Sequence, residues 1–362
     1  MTKEEVIKHF RNYPSYLTTG SPKLAKKFNL TVDEIYEIKD IVRNTNEQWE
    51  EKVRWVKDKE GSKLFVKKSQ DNIKEEFLNF AKEFVPKNYN NTKPNADYSS
   101  ALLVYMSDKH IGADTLESSS LENKWDKEEF ENRMSLLAEE VIRLYEINKF
   151  EAIILFDLGD AVDGFNAQTT RGGHKLPQNM SNREVFSVFM EVHLNFFYTI
   201  QKYCDTDLTF ITAGESNHGG DFEWICNKSL EILLNNKFPN IKTFIGDKFI
   251  EHYELGNHCF IVCHGKDIED LKFPLPSVLN EKTELYFKRY VDHHKIDAEF
   301  IHVIKGDTHK ASCQYVDRLR YKNVLSMYGA SKWIHHNFMS NLKGVSMDIF
   351  ANNRITEHQL FM

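Results

Sequence analysis

The sequence lacks any apolar stretch that approaches the roughly 18 residues a membrane span requires. It also lacks internal repeats and low-complexity tracts. The first ten residues, MTKEEVIKHF, are polar and charged, without the apolar segment of a signal peptide. These absences exclude a membrane-spanning protein and favour a cytoplasmic one.

Cysteine is scarce, with five residues among 362, and the odd number does not favour a disulfide framework. Only Cys259 and Cys263 lie close together, at a spacing that fits one face of a strand. We interpret all five as reduced core residues. Apolar residues make up 41% of the chain and aromatic residues 13%, so a sizeable core is expected and wholesale disorder is excluded.

The net charge of −7 is unevenly distributed. Residues 1–100 carry 19 Lys and Arg against 16 Asp and Glu, whereas the remainder carries 28 against 38. A surplus of carboxylates suits a metal-binding body and argues against a broad basic surface for nucleic acid there. Taken alone, the charge indicates only solubility.

Residues 1–85 are predicted to form a small all-α domain. A short helix over Pro22–Phe28 follows the expected cap Ser21, and a second helix runs to about Arg43 behind a capping box of Thr31 and Glu34. Two short helices joined by a three-residue turn are the helix-turn-helix pattern. The second helix is acidic, so contact with a protein or a structural role is as well supported as DNA binding.

The N-terminal region is expected to end in a charged helix over about 71–84, followed by a linker over 86–98 that is rich in Asn and Pro. Beyond the linker, apolar runs alternate with long amphipathic helical patterns, which predicts an α/β fold whose sheets are buried on both faces. The predicted strands are 101–106, 152–156, 208–212, 259–263 and 300–304. The predicted helices are 127–148, 183–203 and 222–236.

Five short motifs of acid, amide and histidine residues follow apolar runs in a fixed order. They are Asp108-Lys109-His110, Gly159-Asp160-Ala161-Val162-Asp163, Asn217-His218, His264-Gly265 and Gly306-Asp307-Thr308-His309. Ligands bind at the carboxyl ends of strands in α/β sheets, so the motifs are expected to converge on one cleft. Each motif alone fits an ordinary turn or a structural histidine. The ordered set favours two divalent metal ions about 3.5–4 Å apart.

The ligand set contains carboxylate, imidazole and amide groups but no thiolate. It favours Mn²⁺, Fe or Mg²⁺, leaves Zn²⁺ as an alternative, and argues against a structural zinc site. A pair of such ions would support hydrolysis of a phosphate ester, with a metal-bound water as the nucleophile. His218, held by a carboxylate such as Asp163, is the candidate for protonating the leaving oxygen.

The ordered set resembles the calcineurin-like metallophosphoesterases, whose pattern is D-x-H, G-D-x-x-D, G-N-H-[DE], H and G-H-x-H. The resemblance covers roughly residues 100–335. It implies that residues 99–362 form a metallophosphoesterase domain with a four-layer α/β/β/α sandwich. It also implies that one ion is held by Asp108, His110, Asp160 and His309. The second would share Asp160 and add Asn217, His264 and Asp307, with His218 and Asp163 as the acid pair.

Two positions depart from the family pattern. Asp307 stands where the family usually has His, which adds negative charge and favours a harder ion such as Mn²⁺ or Mg²⁺. Gly219 stands where an acid usually follows the histidine. The expected cofactors are therefore two divalent metal ions, with Mn²⁺ favoured.

The segment 169–175 is a candidate substrate loop, in which Arg171 and His174 are suited to contact phosphate. Lys266, beside a proposed ligand loop, is a third candidate. For each of the three, a solvated surface position is an equally good or better interpretation.

The leading hypothesis is a phosphodiesterase or nuclease acting on nucleic acid, resembling the repair-nuclease branch of the family. A phosphomonoesterase acting on a nucleotide or phosphoprotein is the alternative. A third hypothesis, an inactive adaptor, is disfavoured by the near-complete ligand set. A protein partner for residues 1–85 is a further expectation, and a homodimer is expected by family analogy alone.

Overall fold

A computed structural model describes residues 3–12, 15–44, 52–58, 61–67, 97–115, 124–238, 240–329, 331, 334 and 342–362. The chain divides into two compact units, Met1–Asn88 and Tyr89–Met362. Within the described ranges, no helix combines the length and hydropathy needed to cross a bilayer. The cysteines are free; four are buried, whereas Cys313 is half-buried.

The first unit begins with four helices, whose apolar faces form one core. They are α1 (Lys3–Asn12), α2 (Ser15–Thr18), α3 (Ser21–Phe28) and α4 (Val32–Asn44). The capping box is confirmed, since the Thr31 amide donates to the Glu34 carboxylate at 2.7 Å and the Glu34 amide donates to the Thr31 hydroxyl at 3.2 Å. The predicted cap Ser21 is wrong. Gly20 is the cap, without a side-chain bond, and Ser21 is already helical.

The prediction that this unit is all-α is wrong, because it also contains an antiparallel hairpin. Strand β1 (Lys52–Asp58) pairs with β2 (Gly61–Lys67), in a register that places Asp58 opposite Gly61. The cause is local composition, since these two segments contain Val53, Trp55, Val56, Phe65 and Val66, and β-branched and aromatic residues favour strands. The predicted helix over 71–84 lies outside the described residues, as does all of the predicted linker except 97–98.

The second unit is a mixed α/β structure with two mixed sheets. The strands of the six-stranded sheet are β3 (Ser100–Met106), β4 (Ala152–Asp157), β5 (Asp207–Thr212), β6 (Ile241–Ile245), β12 (Gly344–Ala351) and β13 (Arg354–Phe361). Their order is β13-β12-β3-β4-β5-β6, in which β3 to β6 are parallel and β12 and β13 are antiparallel additions.

The strands of the five-stranded sheet are β7 (Ile250–Leu255), β8 (His258–Cys263), β9 (Phe300–Lys305), β10 (Ser312–Val316) and β11 (Leu319–Asn323). Their order is β10-β11-β9-β8-β7, with a parallel centre of β11, β9 and β8. The long helices of the unit are α5 (Lys127–Asn148), α6 (Asn182–Tyr203), α7 (Gly220–Lys237) and α8 (Glu281–His294). All five predicted strands and all three predicted long helices are confirmed.

Three apolar clusters hold the second unit together. One joins the six-stranded sheet to α5, α6 and α7, and another joins the five-stranded sheet to α8. The third contains side chains of both sheets, such as Phe156 from β4 and Phe260 from β8. The sheets therefore share an apolar core.

Charged groups are also buried where the two sheets meet. Asp348 on β12 accepts hydrogen bonds from Arg320 and from Lys322 (2.8 Å) on β11, and from the Tyr105 hydroxyl (2.8 Å) on β3. Glu357 on β13 lies at the edge of this cluster, 3.4 Å from Arg320 and 3.6 Å from Lys322. These contacts fix β11 of one sheet against β12 of the other.

A pair of buried histidines gives the fold a predicted pH dependence. Nδ1 of His258 lies 2.8 Å from Nε2 of His302. Burial, aided by the charge of Arg320, lowers the pKa of His302 to about 2. This group stays neutral in the fold but binds a proton when unfolded. Its stabilising contribution is therefore complete above the unfolded pKa of about 6.5 and is lost as the pH falls below it.

We expect the free energy of unfolding to fall between pH 6 and pH 4.5, with His302 contributing up to about 1.4 kcal/mol per pH unit. His302→Gln should reduce this slope in urea titrations of the metal-free protein. Other buried groups with shifted pKa values, such as His193, His258 and Glu223, are the same in both proteins, so the difference between the two slopes belongs to His302. An unchanged slope in the variant would contradict the assignment.

Candidate metal centre

The five predicted motifs meet at the carboxyl ends of β3, β4, β5, β8 and β9. The loops that carry these motifs are hydrogen-bonded to one another. The amides of Asp108 and His110 donate to the carbonyls of Gly159 (3.1 Å) and Asp160 (2.9 Å). The His218 amide donates to the Asp160 carboxylate at 3.0 Å. The loops therefore hold their side chains around Asp160.

The first group of potential ligands consists of Asp108, His110 and His309. One ligand atom from each lies within 4.8 Å of the other two, a spacing that fits a shared metal ion. Nε2 of His309 is 3.0 Å from Oδ1 of Asp108, and Nε2 of His110 is 3.8 Å from that same oxygen. Nε2 of His110 is also 3.8 Å from Oδ2 of Asp160. The predicted first set is therefore assembled in one place.

A second group joins Asp160 to His264. Nε2 of His264 lies 3.1 Å from Oδ2 of Asp160 and 4.0 Å from Oδ1 of Asp307. Together with Asp108, Asp160 and His264 form another cluster with the spacing of a metal site. Asn217 directly precedes His218, whose backbone amide donates to Asp160. The side-chain amide oxygen of Asn217 is buried. Asp160 thus lies between the two predicted sets.

Three imidazole rings are oriented in the same way. Nδ1 of His110 is 2.9 Å from the Asp163 carboxylate, and Nδ1 of His264 is 3.1 Å from the Leu158 carbonyl oxygen. Nδ1 of His309 contacts the Gly329 carbonyl. A ring that donates from Nδ1 presents the lone pair of Nε2, as metal-binding histidines do. The three Nε2 atoms lie beside the carboxylates of Asp108 and Asp160.

Four buried atoms of these residues lack a partner in hydrogen-bond geometry within the described part of the chain, although Oδ1 of Asp108 and Nε2 of His264 each lie 3.0–3.1 Å from a group of opposite charge. The four atoms are Oδ1 of Asp108, Nε2 of His110, Oδ1 of Asn217 and Nε2 of His264. An unsatisfied buried polar atom costs about 1–3 kcal/mol. Four such atoms at one place, supplied by carboxylate, imidazole and amide groups, fit coordination of divalent cations.

The two residues predicted to form the acid pair lie side by side. Nδ1 of His218 lies 2.9 Å from Oδ1 of Asp163. The same carboxylate oxygen is 2.9 Å from Nδ1 of His110, a second contact that the sequence did not indicate. The His218 side chain is 22% exposed, whereas those of His110 and Asp163 are 6% exposed. His218 is therefore the histidine of this group that reaches the surface.

The charges within the centre stabilise one another. Burial disfavours ionisation of Asp160, but His264 and His218 hold its pKa below the usual range. Burial also opposes protonation of His264, but Asp160 raises its pKa to about 10. Burial raises the pKa of Asp307. Binding of divalent ions therefore has to displace protons from this cluster.

The backbone at the centre is unusual. Asp108, His110, Asp160, Asp307 and His309 all have positive φ, between 42° and 68°. Residues other than glycine rarely adopt this left-handed conformation, which costs about 1 kcal/mol or more for each residue. Five of the seven predicted metal ligands are thus held in strained conformations, which the sequence did not reveal.

The three predicted substrate residues occupy two neighbouring loops. The Arg171 guanidinium donates to the Asp267 carboxylate at 2.8 Å and to the Leu271 carbonyl at 2.7 Å. Lys266 donates to the Leu271 carbonyl at 2.9 Å. Both cations are therefore engaged with the 267–271 loop, whereas His174 is exposed. The amide of Arg171 donates to the Asn217 carbonyl at 2.9 Å, which places its loop against the centre.

Several supporting residues were missed by sequence reasoning. The segment 326–329 follows β11, and the Tyr328 amide donates to the Asp108 carbonyl at 3.0 Å. The Tyr328 ring packs on both His110 and His309. Lys305 is fully buried, and its ammonium donates to the Gly306 carbonyl at 3.1 Å. Its position directly before the Gly306–His309 motif was the available signal.

No protein-family model and no curated protein matches the chain. Among solved structures, it is similar to wild-type Vps29 from Entamoeba histolytica complexed with zinc, at 9% identity over 72% of this chain and 98% of that one, with a TM-score of 0.32. It is similar to an archaeal phosphodiesterase at 10% identity over 72% and 99%, TM-score 0.33. A third is a predicted phosphoesterase from Streptococcus pneumoniae, at 11% identity over 73% and 98%, TM-score 0.26. Likenesses at this level establish neither a family nor an activity.

Proposed function

We propose that this chain is a dinuclear metal-dependent phosphoester hydrolase of the calcineurin-like type. The observation that carries the proposal is the common orientation of His110, His264 and His309, each fixed at Nδ1 with Nε2 turned to the carboxylates of Asp108 and Asp160. Under this proposal, the two sheets and their flanking helices stack as a four-layer α/β/β/α sandwich.

In the proposed site, the first ion is held by Asp108, His110, His309 and Asp160. The second is held by Asp160, Asn217, His264 and Asp307. When bound, two divalent ions neutralise phosphoryl oxygens and make a water more acidic. Mn²⁺ is the proposed metal, because Asp307 adds a carboxylate where an imidazole would favour a softer ion.

The proposed general acid is His218. Asp163 accepts a hydrogen bond from its Nδ1, which orients the ring. Nε2 then carries the proton that is given to the leaving oxygen of the ester. Because Asp163 also contacts Nδ1 of His110, one carboxylate orients both the proposed acid and a proposed metal ligand.

The proposed substrate is a phosphodiester in nucleic acid. Phe165, two residues after Asp163, is 47% exposed, and its ring lies 5.1 Å from the ring of Phe222. Exposed aromatic rings provide stacking surfaces for bases. In the first unit, Lys23 and Lys26 are exposed on α3, the first helix of the helix-turn-helix pattern. These features support a nucleic-acid substrate over a small monoester.

The test uses Mn²⁺-loaded protein with bis(p-nitrophenyl) phosphate, p-nitrophenyl phosphate, and single- and double-stranded oligonucleotides. We expect cleavage of the diester and of an oligonucleotide, inhibited by EDTA. His218→Asn should lower the rate about 10²–10⁴-fold, whereas the control His293→Ala, on the exposed face of α8, should retain full activity. Hydrolysis of the monoester alone would refute the nuclease assignment. Metal binding without hydrolysis of any ester would refute the enzymatic one.

A further inference from the structure

Glu223 joins two loops of the metal centre through one carboxylate oxygen. It lies in the first turn of α7 and is 4% exposed. Its Oε2 accepts hydrogen bonds from the Ala161 amide at 2.8 Å and from the Ser216 hydroxyl at 3.1 Å. Ala161 directly follows Asp160, and Ser216 directly precedes Asn217. The carboxylate therefore links the neighbours of two proposed ligands that come from different strand ends.

The two loops approach each other closely at this place. A Cβ added to Gly159 would lie 2.9 Å from Cβ of Ser216 and 3.1 Å from Cβ of His264. Such a contact would force the loops apart. The link made by Glu223 therefore acts where the separation of the loops is tightly constrained.

Gly219 leaves the space that Glu223 fills. A Cβ at Gly219 would lie 2.3 Å from Oε2 and 2.6 Å from Cβ of Glu223. Gly219 has φ −74° and ψ −42°, a conformation open to any residue, so its backbone does not require glycine. A glycine is needed at position 219 because the Glu223 side chain, four residues further on, folds back over it.

Resting on the proposed function, we infer that Glu223 is a positioning residue that sets the separation of Asp160 and Asn217. Its carboxylate, which comes from α7, occupies the space that a side chain at position 219 would need. Its loss would leave the Ala161 amide without an acceptor and allow the Asn217 loop to move away from Asp160. The measurable consequence is weaker metal binding.

Titration calorimetry with Mn²⁺ tests this inference without turnover. We expect Glu223→Ala to weaken binding about 10–100-fold, the usual effect of removing a group that supports a ligand. Glu223→Gln keeps an acceptor oxygen and should bind within about fivefold of the wild type. In the double variant Gly219→Asp with Glu223→Ala, the new carboxylate occupies the vacated space, and most of the affinity should return.

The matched control is Glu231→Ala. Glu231 lies on the same helix, is 8% exposed and is paired with Lys228 at 3.0 Å, outside the ligand loops. It should lower the melting temperature and leave Mn²⁺ affinity unchanged. If Glu223→Ala behaves like this control, Glu223 has only a structural role and the inference fails while the proposed function stands. If the wild type itself binds no Mn²⁺, both fail.

Discussion

Replacing Asp160 with Asn is expected to lower the rate of phosphodiester cleavage by about 10³-fold or more. Asp160 lies between the two ligand groups, and its carboxylate is the nearest one to Nε2 of His264. The substitution keeps the shape of the side chain and removes its charge. A loss of about 4 kcal/mol in transition-state stabilisation, within the range that metal ions supply, corresponds to this factor.

The measurement pairs turnover of bis(p-nitrophenyl) phosphate with the number of Mn²⁺ ions bound. We expect Asp160→Asn to bind fewer than two ions at concentrations that saturate the wild type. Asp317→Asn is a matched control, because Asp317 lies in an exposed turn with the same φ of 51°. It should leave both quantities unchanged. Native turnover in Asp160→Asn would refute the assigned centre.

Replacing Asp348 with Asn is expected to lower the free energy of unfolding by about 3–5 kcal/mol, because it leaves two buried cations without their main partner. Asp348 is fully buried, and Arg320 and Lys322 are at most 2% exposed. Their remaining carboxylate partner, Glu357, lies at longer distance. The cost is large because these cations are far from water.

Urea unfolding followed by tryptophan fluorescence measures this effect, because three of the five tryptophans, Trp125, Trp224 and Trp333, belong to the second unit. Glu357→Gln provides the control. Its side chain is 32% exposed, and its removal should cost less than about 1 kcal/mol. A loss below about 1 kcal/mol in Asp348→Asn would show that the cluster does not hold the sheets in register.

The strands that the sequence predicts are buried on both faces. The strands β3, β4, β5, β8 and β9 are continuous apolar runs because both of their faces are covered, so they were recognised. Strand β11 was missed because it carries Arg320 and Lys322, which are buried only through Asp348 on a strand distant in sequence. The hairpin in the first unit was missed because its charged residues resemble those of an exposed helix.

In the candidate site, the sequence predicts the proposed ligands but not the residues that support them. The convergence of Asp108, Asp160, Asn217, His264 and His309 follows from their positions after strands, which a single sequence displays. The supports do not follow strands in the same way. Gly329 reaches His309 from a separate segment, and Glu223 reaches the ligand loops from a helix. Such contacts depend on how the loops pack, and no periodic pattern records them.

Taken by itself, the left-handed backbone at five proposed ligands is a conformational cost that selection on stability would tend to remove. Glycine at any of these positions would adopt the same φ without strain, and it would remove a buried charge or imidazole. That removal would leave the neighbouring buried group without its partner, as for His264 beside Asp160 and His309 beside Asp108. The relief of about 1–2 kcal/mol in the backbone is smaller than the cost of about 3–5 kcal/mol for an unpaired buried charge, so stability alone does not favour losing these side chains one at a time.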